Sequence, residues 1–247
     1  MRNFKITLEY DGTSFKGWQI QPGHQRSVQG EIEKALQKIF QKKIRIIGSG
    51  RTDQGVHAFG QAANFKTQTE FSPEKIQRAL NANLPDDIAV LEIEEVPLDF
   101  HARYSAKSKI YRYTILNRQV RYAQLRHFCL HIPYRLNISA MRREAKALIG
   151  RKNFRSFVAN DPKRSQSDTV RTIKRVDIKK AGDCLIIDLE ADGFLYKMVR
   201  GIIGTLIEIG RGQLPQGSIE KILKKKDRRS AAYSAKPRGL CLLAVKY

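Results

Sequence analysis

Apolar and polar positions alternate along residues 4–10, FKITLEY, which is the period of a half-buried strand. The period then changes. In SVQGEIEKALQKIF the apolar residues Val28, Ile32, Ala35, Leu36, Ile39 and Phe40 recur at helical spacing behind Ser27, a natural N-cap. Residues 44–47 and 62–67 have strand character. SPEKIQRALNANL predicts a second helix, with Ser72 as N-cap, Pro73 at the first helical position and Ile76, Ala79 and Leu80 as its apolar stripe. Ile88 to Val96, IAVLEIEEV, predicts a further strand. The order β-α-β-β-α-β is that of a ferredoxin-like unit, an antiparallel sheet with both helices on one face.

The second half shows the same order of patterns. IYRYTIL (Ile110 to Leu116) predicts a strand, SAMRREAKALIG a helix stopped by Gly150, and VRTIKRVDIKK with CLIIDLEA a strand pair joined through Ala181 to Asp183. A helix around YKMVRGIIGTLIEI, an additional helix SIEKILKKK and a closing strand LCLLAVKY complete it. The expected fold is therefore α+β, two tandem ferredoxin-like units with antiparallel sheets. The expected domains are residues 1–103 and 104–247, joined near PLDFHARYSAKSK. The halves share pattern, not evident identity. The polar stretch Val158 to Thr169 reads as a mobile loop whose cations suit a ligand that orders it.

Charge separates the two halves more sharply than pattern does. The formal net charge is +22 over 247 residues. Residues 1–103 carry 14 Lys and Arg against 13 Asp and Glu, whereas residues 104–247 carry 32 against 11. Such a surplus repels itself unless a polyanion offsets it, so the second half is the expected footprint for a phosphate backbone. A solvated basic surface is the simpler alternative. Three scattered cysteines, Cys129, Cys184 and Cys241, form no CxxC pair and point to a reducing compartment rather than a disulfide framework. MRNFKITLEYDG reads as a strand and a turn rather than a signal peptide, and GIIGTLIEIG is about half the length that spans a bilayer. A cytoplasmic location is expected.

Few residues suggest chemistry. HFCLH would set His127, Cys129 and His131 on one strand face, but three ligands without a nearby fourth make a weak metal site. No phosphate-binding GxxxxGK[ST] or dinucleotide fingerprint is present, so neither a metal nor a cofactor is expected. The denser signal is GSGRTDQGVHAFGQ, Gly48 to Gln61. Gly48, Gly50, Gly55 and Gly60 would permit unusual backbone conformations and close approach to a ligand. Asp53, two residues after Arg51, would be anionic at neutral pH and would need orientation rather than a general base to act as a nucleophile. Thr52, Asp53 and Gly55 could equally make an Asx-type turn, with Arg51 a surface cation.

GRTDQGVHAFGQ closely resembles the catalytic segment of the bacterial tRNA pseudouridine synthase A family, whose pattern is GRTD, one variable residue, GVHA and then GQ. The likeness continues through EYDGTSFKGWQIQP, SVQGEIEKAL, LNANLPDDIAV, FHARYSAKSKIYRYTILN, NFRSF, RTIKRV, MVRGIIGTLIEIG and AAYSAKPRGLCLLAVKY, in order, to the C-terminus. Gln54 and Ser49 depart from residues common in the family, which often has Ala or Lys, and Ala, at those positions.

The resemblance implies a pseudouridine synthase fold with an active cleft between the two sheets, and a cofactor-free isomerisation of uridine to pseudouridine at tRNA nucleotides 38, 39 and 40, in the anticodon arm. It implies Asp53 as the catalytic carboxylate, Tyr111 of KIYRY as a stacking platform for the target uracil, and Arg51 as an aid to base flipping. Arg200 of KMVRG would pair with Asp53 and keep it ionised. It further implies a homodimer in which one tRNA contacts both subunits. For Tyr111 a core strand aromatic, and for Arg200 a helix-surface cation, are the plain alternatives. A non-catalytic protein binding structured RNA would explain the charge and the fold, but not the GRTD loop. A base-modifying transferase would need a donor site that the sequence does not show.

Overall fold

In the computed structural model, which describes residues 1–23, 25–159 and 168–247, the N-terminal alternation becomes β1 (Arg2–Tyr10), with Phe4, Ile6, Leu8 and Tyr10 buried. α1 (Val28–Phe40) follows, its first turn capped by Ser27 Oγ, which accepts from Gly30 N at 3.3 Å. β2 (Ile47–Gly48), β3 (His57–Thr67), α2 (Pro73–Asn83) and β4 (Ile88–Val96) complete this part. Ser72 caps α2 by accepting from Lys75 N, with Pro73 in the first turn. Val28, Ile32 and Leu36 of α1 and Ile76 and Leu80 of α2 are fully buried, as the apolar stripes require. Each such side chain contributes roughly 1.5–3 kcal/mol. β1 lies between β3 and β4, antiparallel to both.

The strand expected over residues 44–47 is only the two-residue β2, pairing Ile47 with Asn64 and Gly48 with Ala63. Its backbone is diverted. Ile46 N donates to Glu33 Oε1 at 3.1 Å, and Ile46 O accepts from Gln29 Nε2, so side chains of α1 take the groups that a ladder would use. β3, by contrast, begins at His57, five residues earlier than the pattern suggests, and is buried along both faces except at Phe59 and Lys66.

The second part contains β5 (Ser108–Asn117), β6 (Leu130–Ile132), α3 (Ile138–Ala145), β7 (Gly150–Asn153), β8 (Val170–Ala181), β9 (Cys184–Ala191), α4 (Met198–Gly210) and α5 (Ser218–Lys225). β5, β9, β8 and β7 are successive antiparallel neighbours, and β6 runs parallel to β5. β8 and β9 form the expected hairpin, with Ala181 opposite Cys184 across a two-residue loop. α3 ends at Ala145 and passes through a 3-10 turn, so Gly150, read as its stop, starts β7 instead. Residues 160–167, most of the stretch expected as a mobile loop, lie outside the described residues.

The last strand, β10 (Leu240–Lys246), was expected to close the second repeat. The chain divides instead into unit 1, Met1–Lys107 with Cys241–Tyr247, and unit 2, Ser108–Leu240. β10 pairs parallel with β3, Cys241 opposite His57 and Leu242 opposite Ala58. Tyr247 OH donates to Ala102 O at 2.9 Å, Lys107 N donates to Lys246 O at 2.8 Å, and the Phe100 and Tyr247 rings lie 4.9 Å apart. The segment after β4 is tied to unit 1 as well: buried Asn3 Nδ2 donates to Pro97 O and Phe100 O, and Ala102 N donates to Asn64 Oδ1. The boundary therefore falls at 107/108, not 103/104. Among the described residues no helix is long and apolar enough to cross a membrane.

Candidate active site

Within GSGRTDQGVHAFGQ, Gly48 ends β2, residues 49–56 form a loop, and His57 begins β3. The base of the loop is stitched to β3. Ser49 N donates to Ala62 O (2.7 Å), Ser49 Oγ to Gln61 Oε1 (2.7 Å), and Gln61 Nε2 to Gly50 O (3.1 Å). Its middle is held by the segment after β1: Trp18 N donates to Thr52 O at 3.1 Å and Gly55 N to Phe15 O at 3.4 Å. The buried Tyr10 hydroxyl lies 2.8 Å from Thr52 Oγ1, and burial raises its pKa, so it stays a neutral hydrogen-bonding group.

Val56 N donates to Asp53 O at 3.2 Å and closes a four-residue turn. Gly55 occupies its third position with φ +74°, the sign that a type II turn demands there. Gln54, the departure from the family pattern, takes the exposed second position, where most residues fit. Asp53 opens the turn and is half-buried. The turn reading and the site reading of this stretch are thus compatible: the backbone makes a turn that carries the carboxylate.

The expectation for the four glycines needs correction. Gly55 alone among them has positive φ. Gly48 and Gly60 serve packing: a Cβ would come within 2.5 Å of the Trp18 ring at Gly48, and within 2.3 Å of Leu243 O at Gly60. The space they leave is filled by protein rather than offered to a ligand.

Arg51 is exposed, and its Nε donates to Gln19 Oε1 at 3.1 Å. Gln19 Nε2 in turn donates to Gln29 Oε1 (2.7 Å), and Gln29 Nε2 to Glu33 Oε1 (2.8 Å). This relay runs from α1 to the guanidinium. The sequence reading missed it, although Gln29 and Glu33 at i and i+4 on one helix face were a usable signal.

In unit 2, Tyr111 sits on β5, is 8% exposed and meets Phe194 edge-on at 5.2 Å and 88°. Phe194 was not singled out from the sequence. Tyr113, two residues on along the same face, is fully buried and donates to Lys236 O at 2.7 Å. Burial raises its pKa, and the positive charge of Arg200 pulls the other way. Arg200, the third residue of α4, is half-buried, with Met198, Val199, Ile202 and Ile203 buried around it. Its Nε donates to Ala235 O at 2.7 Å while Ala235 N donates to Arg200 O at 2.9 Å, so it is bracketed by the segment before β10. Unit 1 thus carries Arg51 and Asp53 on one loop; in unit 2, Tyr111 lies on β5 and Arg200 at the start of α4.

The weak metal pattern does not assemble as a strand face. β6 begins only at Leu130; Cys129 Sγ donates to Leu125 O, and His131 Nε2 is 2.8 Å from Arg118 O. Among the described residues no group of three or more His, Cys, Asp or Glu could hold a metal ion.

A family model described as tRNA pseudouridine synthase matches residues 6–105 and 145–247, which include Arg51, Asp53 and Arg200. The chain belongs to this family. It is 46% identical over its whole length to all of a tRNA pseudouridine synthase A from Thermoanaerobacter sp. (strain X514). A tRNA pseudouridine synthase A from Geobacillus sp. (strain WCH70) is 45% identical, with 100% of this chain and 98% of that one covered. A tRNA pseudouridine synthase A 2 from Clostridium perfringens is 42% identical, with both chains covered completely. The protein is accordingly an isomerase that forms pseudouridine in tRNA, and its mixed α+β fold is that of the family. Tyr111 falls between the two matched segments of the family model but within the full-length relatives.

Proposed function

We propose that the enzyme converts uridine to pseudouridine at nucleotides 38, 39 and 40 of the tRNA anticodon arm, and that Asp53 is its catalytic carboxylate. The reaction detaches uracil N1 from C1′, turns the base and joins C5 to C1′, so it consumes no co-substrate. A base within a stem cannot turn, and flipping it out costs a few kcal/mol. Contacts with many phosphates offset that cost, and the basic surplus beyond residue 103 supplies the cations.

The loop carries this reading. Asp53 opens a turn closed by Val56 N, and the flanking Thr52 and Gly55 are bonded to Trp18 and Phe15, so the carboxylate starts from a preorganised backbone. Arg51 helps to extrude the nucleotide or occupies the space it leaves. Tyr111 stacks on the loose uracil, a role that suits an aromatic ring. Arg200 supplies a cation to the reaction from the start of α4. The enzyme works as a homodimer in the cytoplasm, one tRNA touching both subunits.

The test is to incubate the protein with unmodified tRNA and map pseudouridine chemically at single-nucleotide resolution. Product confined to nucleotides 38–40, and its loss in Asp53→Ala with tRNA binding kept, supports the proposal. Product at other positions, or undiminished product from Asp53→Ala, overturns the corresponding part.

A further inference from the structure

Unit 2 contains a basic concavity of about 520 Å3, whose lining does not include Tyr111 or Arg200, formed between the 3-10 turn at Arg155 and the stretch from Lys226 to Tyr233. Asp227 is its one acidic group, and it is taken. Its carboxylate accepts from Arg229 N at 3.0 Å and pairs with Arg229 Nη2 at 2.9 Å. No carboxylate pairs with Arg155, Lys226 or Arg228 among the described residues. Three cations gathered in one hollow repel each other, a cost that an anionic ligand would relieve.

Arg228 is already oriented. Its Nη1 donates to Ala231 O (3.1 Å) and Ala232 O (2.8 Å), and its Nη2 to Ser234 Oγ (3.4 Å). A guanidinium has five N–H donors, so among the described residues Nε–H and the second Nη2–H have no hydrogen-bond acceptor; this edge suits two oxygens of a phosphate. Burial also draws its pKa below the ordinary value, as expected of a cation held without a counter-charge.

The aromatic wall is fixed as well. Tyr233 is 49% exposed, and its carbonyl sits only 1.9 Å from where a Cβ on Gly204 of α4 would be, a closeness that glycine alone permits. Ala232 N donates to Thr205 Oγ1 at 3.2 Å. The segment is thereby pinned to the helix that carries Arg200.

We infer that this concavity is a phosphodiester-binding subsite for the substrate RNA, in which Arg155, Lys226 and Arg228 hold one backbone phosphate and Tyr233 stacks on the adjoining nucleoside. The inference rests on the reading of tRNA as substrate and adds to it a contact outside the reacting nucleotide.

The experiment measures equilibrium binding of unmodified tRNA to the full-length protein across a salt series. Arg155→Gln and Lys226→Gln alter exposed side chains, and circular dichroism confirms that each variant is folded. Together they are expected to flatten the slope of log K against log salt by up to about 0.7–0.9, the value of the one phosphate contact that the three cations share. Tyr233→Leu should weaken binding by about fivefold or more while Tyr233→Phe retains it, since stacking needs the ring and not the hydroxyl. Unchanged slope and affinity in both cation variants overturns the subsite, whatever their activity. Weakened binding in the variants of a wild-type protein that makes no pseudouridine would uphold the subsite and overturn the catalytic reading alone.

Discussion

In unit 1 the loop that carries Asp53 is held by neutral hydrogen bonds, among them Ser49 to Gln61, Tyr10 to Thr52 and Trp18 to Thr52. In unit 2, residues 108–240, 30 Lys and Arg face 11 Asp and Glu, against 16 and 13 in unit 1. The contrast separates two demands on an RNA-modifying enzyme. Neutral, buried hydrogen bonds keep their geometry as ionic strength changes, and they suit a site that must be shaped before substrate arrives. Surplus cations give affinity that salt can tune and that is indifferent to sequence. The division predicts that damage to the Asp53 loop of unit 1 affects turnover and local stability, whereas loss of surface cations from unit 2 affects binding.

The largest effect should come from Asp53→Ala, with pseudouridine formation falling by more than about 10²-fold, the least expected for loss of a catalytic side chain, while a filter-binding assay shows tRNA still held. Equal losses of turnover and binding would erase the division between the units. Next is Gly12→Ala in unit 1, where the new Cβ would stand 2.0 Å from Val56 O, at the end of the turn that Asp53 opens. Overpacking of that kind should destabilise the protein by about 1–3 kcal/mol in denaturant unfolding. Gly193→Ala in unit 2 is the counterpart: its Cβ would make only ordinary contact with the Arg171 side chain, at 3.6 Å, and stability should change by no more than about 0.5 kcal/mol.

A smaller effect is expected from Gln19→Ala, which removes the acceptor for Arg51 Nε. One hydrogen bond of about 1 kcal/mol corresponds to roughly a fivefold fall in kcat/KM in steady-state assays. Full retention of kcat/KM would mean that the relay from α1 does not position Arg51 for catalysis. The smallest is Lys42→Gln with Lys43→Gln, two exposed cations of unit 1. The salt dependence of tRNA binding should keep its wild-type slope; a decrease of about 0.7–0.9 per residue would show that unit 1 shares the phosphate contacts.

Elements defined by short-range signals were legible in the sequence. Ser27 and Ser72 cap the helices they precede, and the hairpin at 181–184 follows from its small turn residues. The GRTD segment was legible as a turn, which requires Gly55, and the family pattern marked Asp53 within it as a candidate. Elements that depend on competition for backbone groups were not. Residues 44–46 have strand composition, but Glu33 and Gln29 take the hydrogen bonds of Ile46. Gly48 and Gly60 suggested ligand approach because the sequence does not reveal that Trp18 and Leu243 fill the space beside them.

Periodicity, capping residues and the ordered motifs were thus sufficient for an α+β chain, for the family and for the candidate residues, because each of these is written within a few positions or along a collinear pattern. The return of β10 to β3, the pairing of Arg51 with Gln19 and the bracketing of Arg200 by Ala235 emerged only from the folded chain. These contacts join residues from 32 to about 184 positions apart, and no local pattern encodes which distant group will satisfy a given donor.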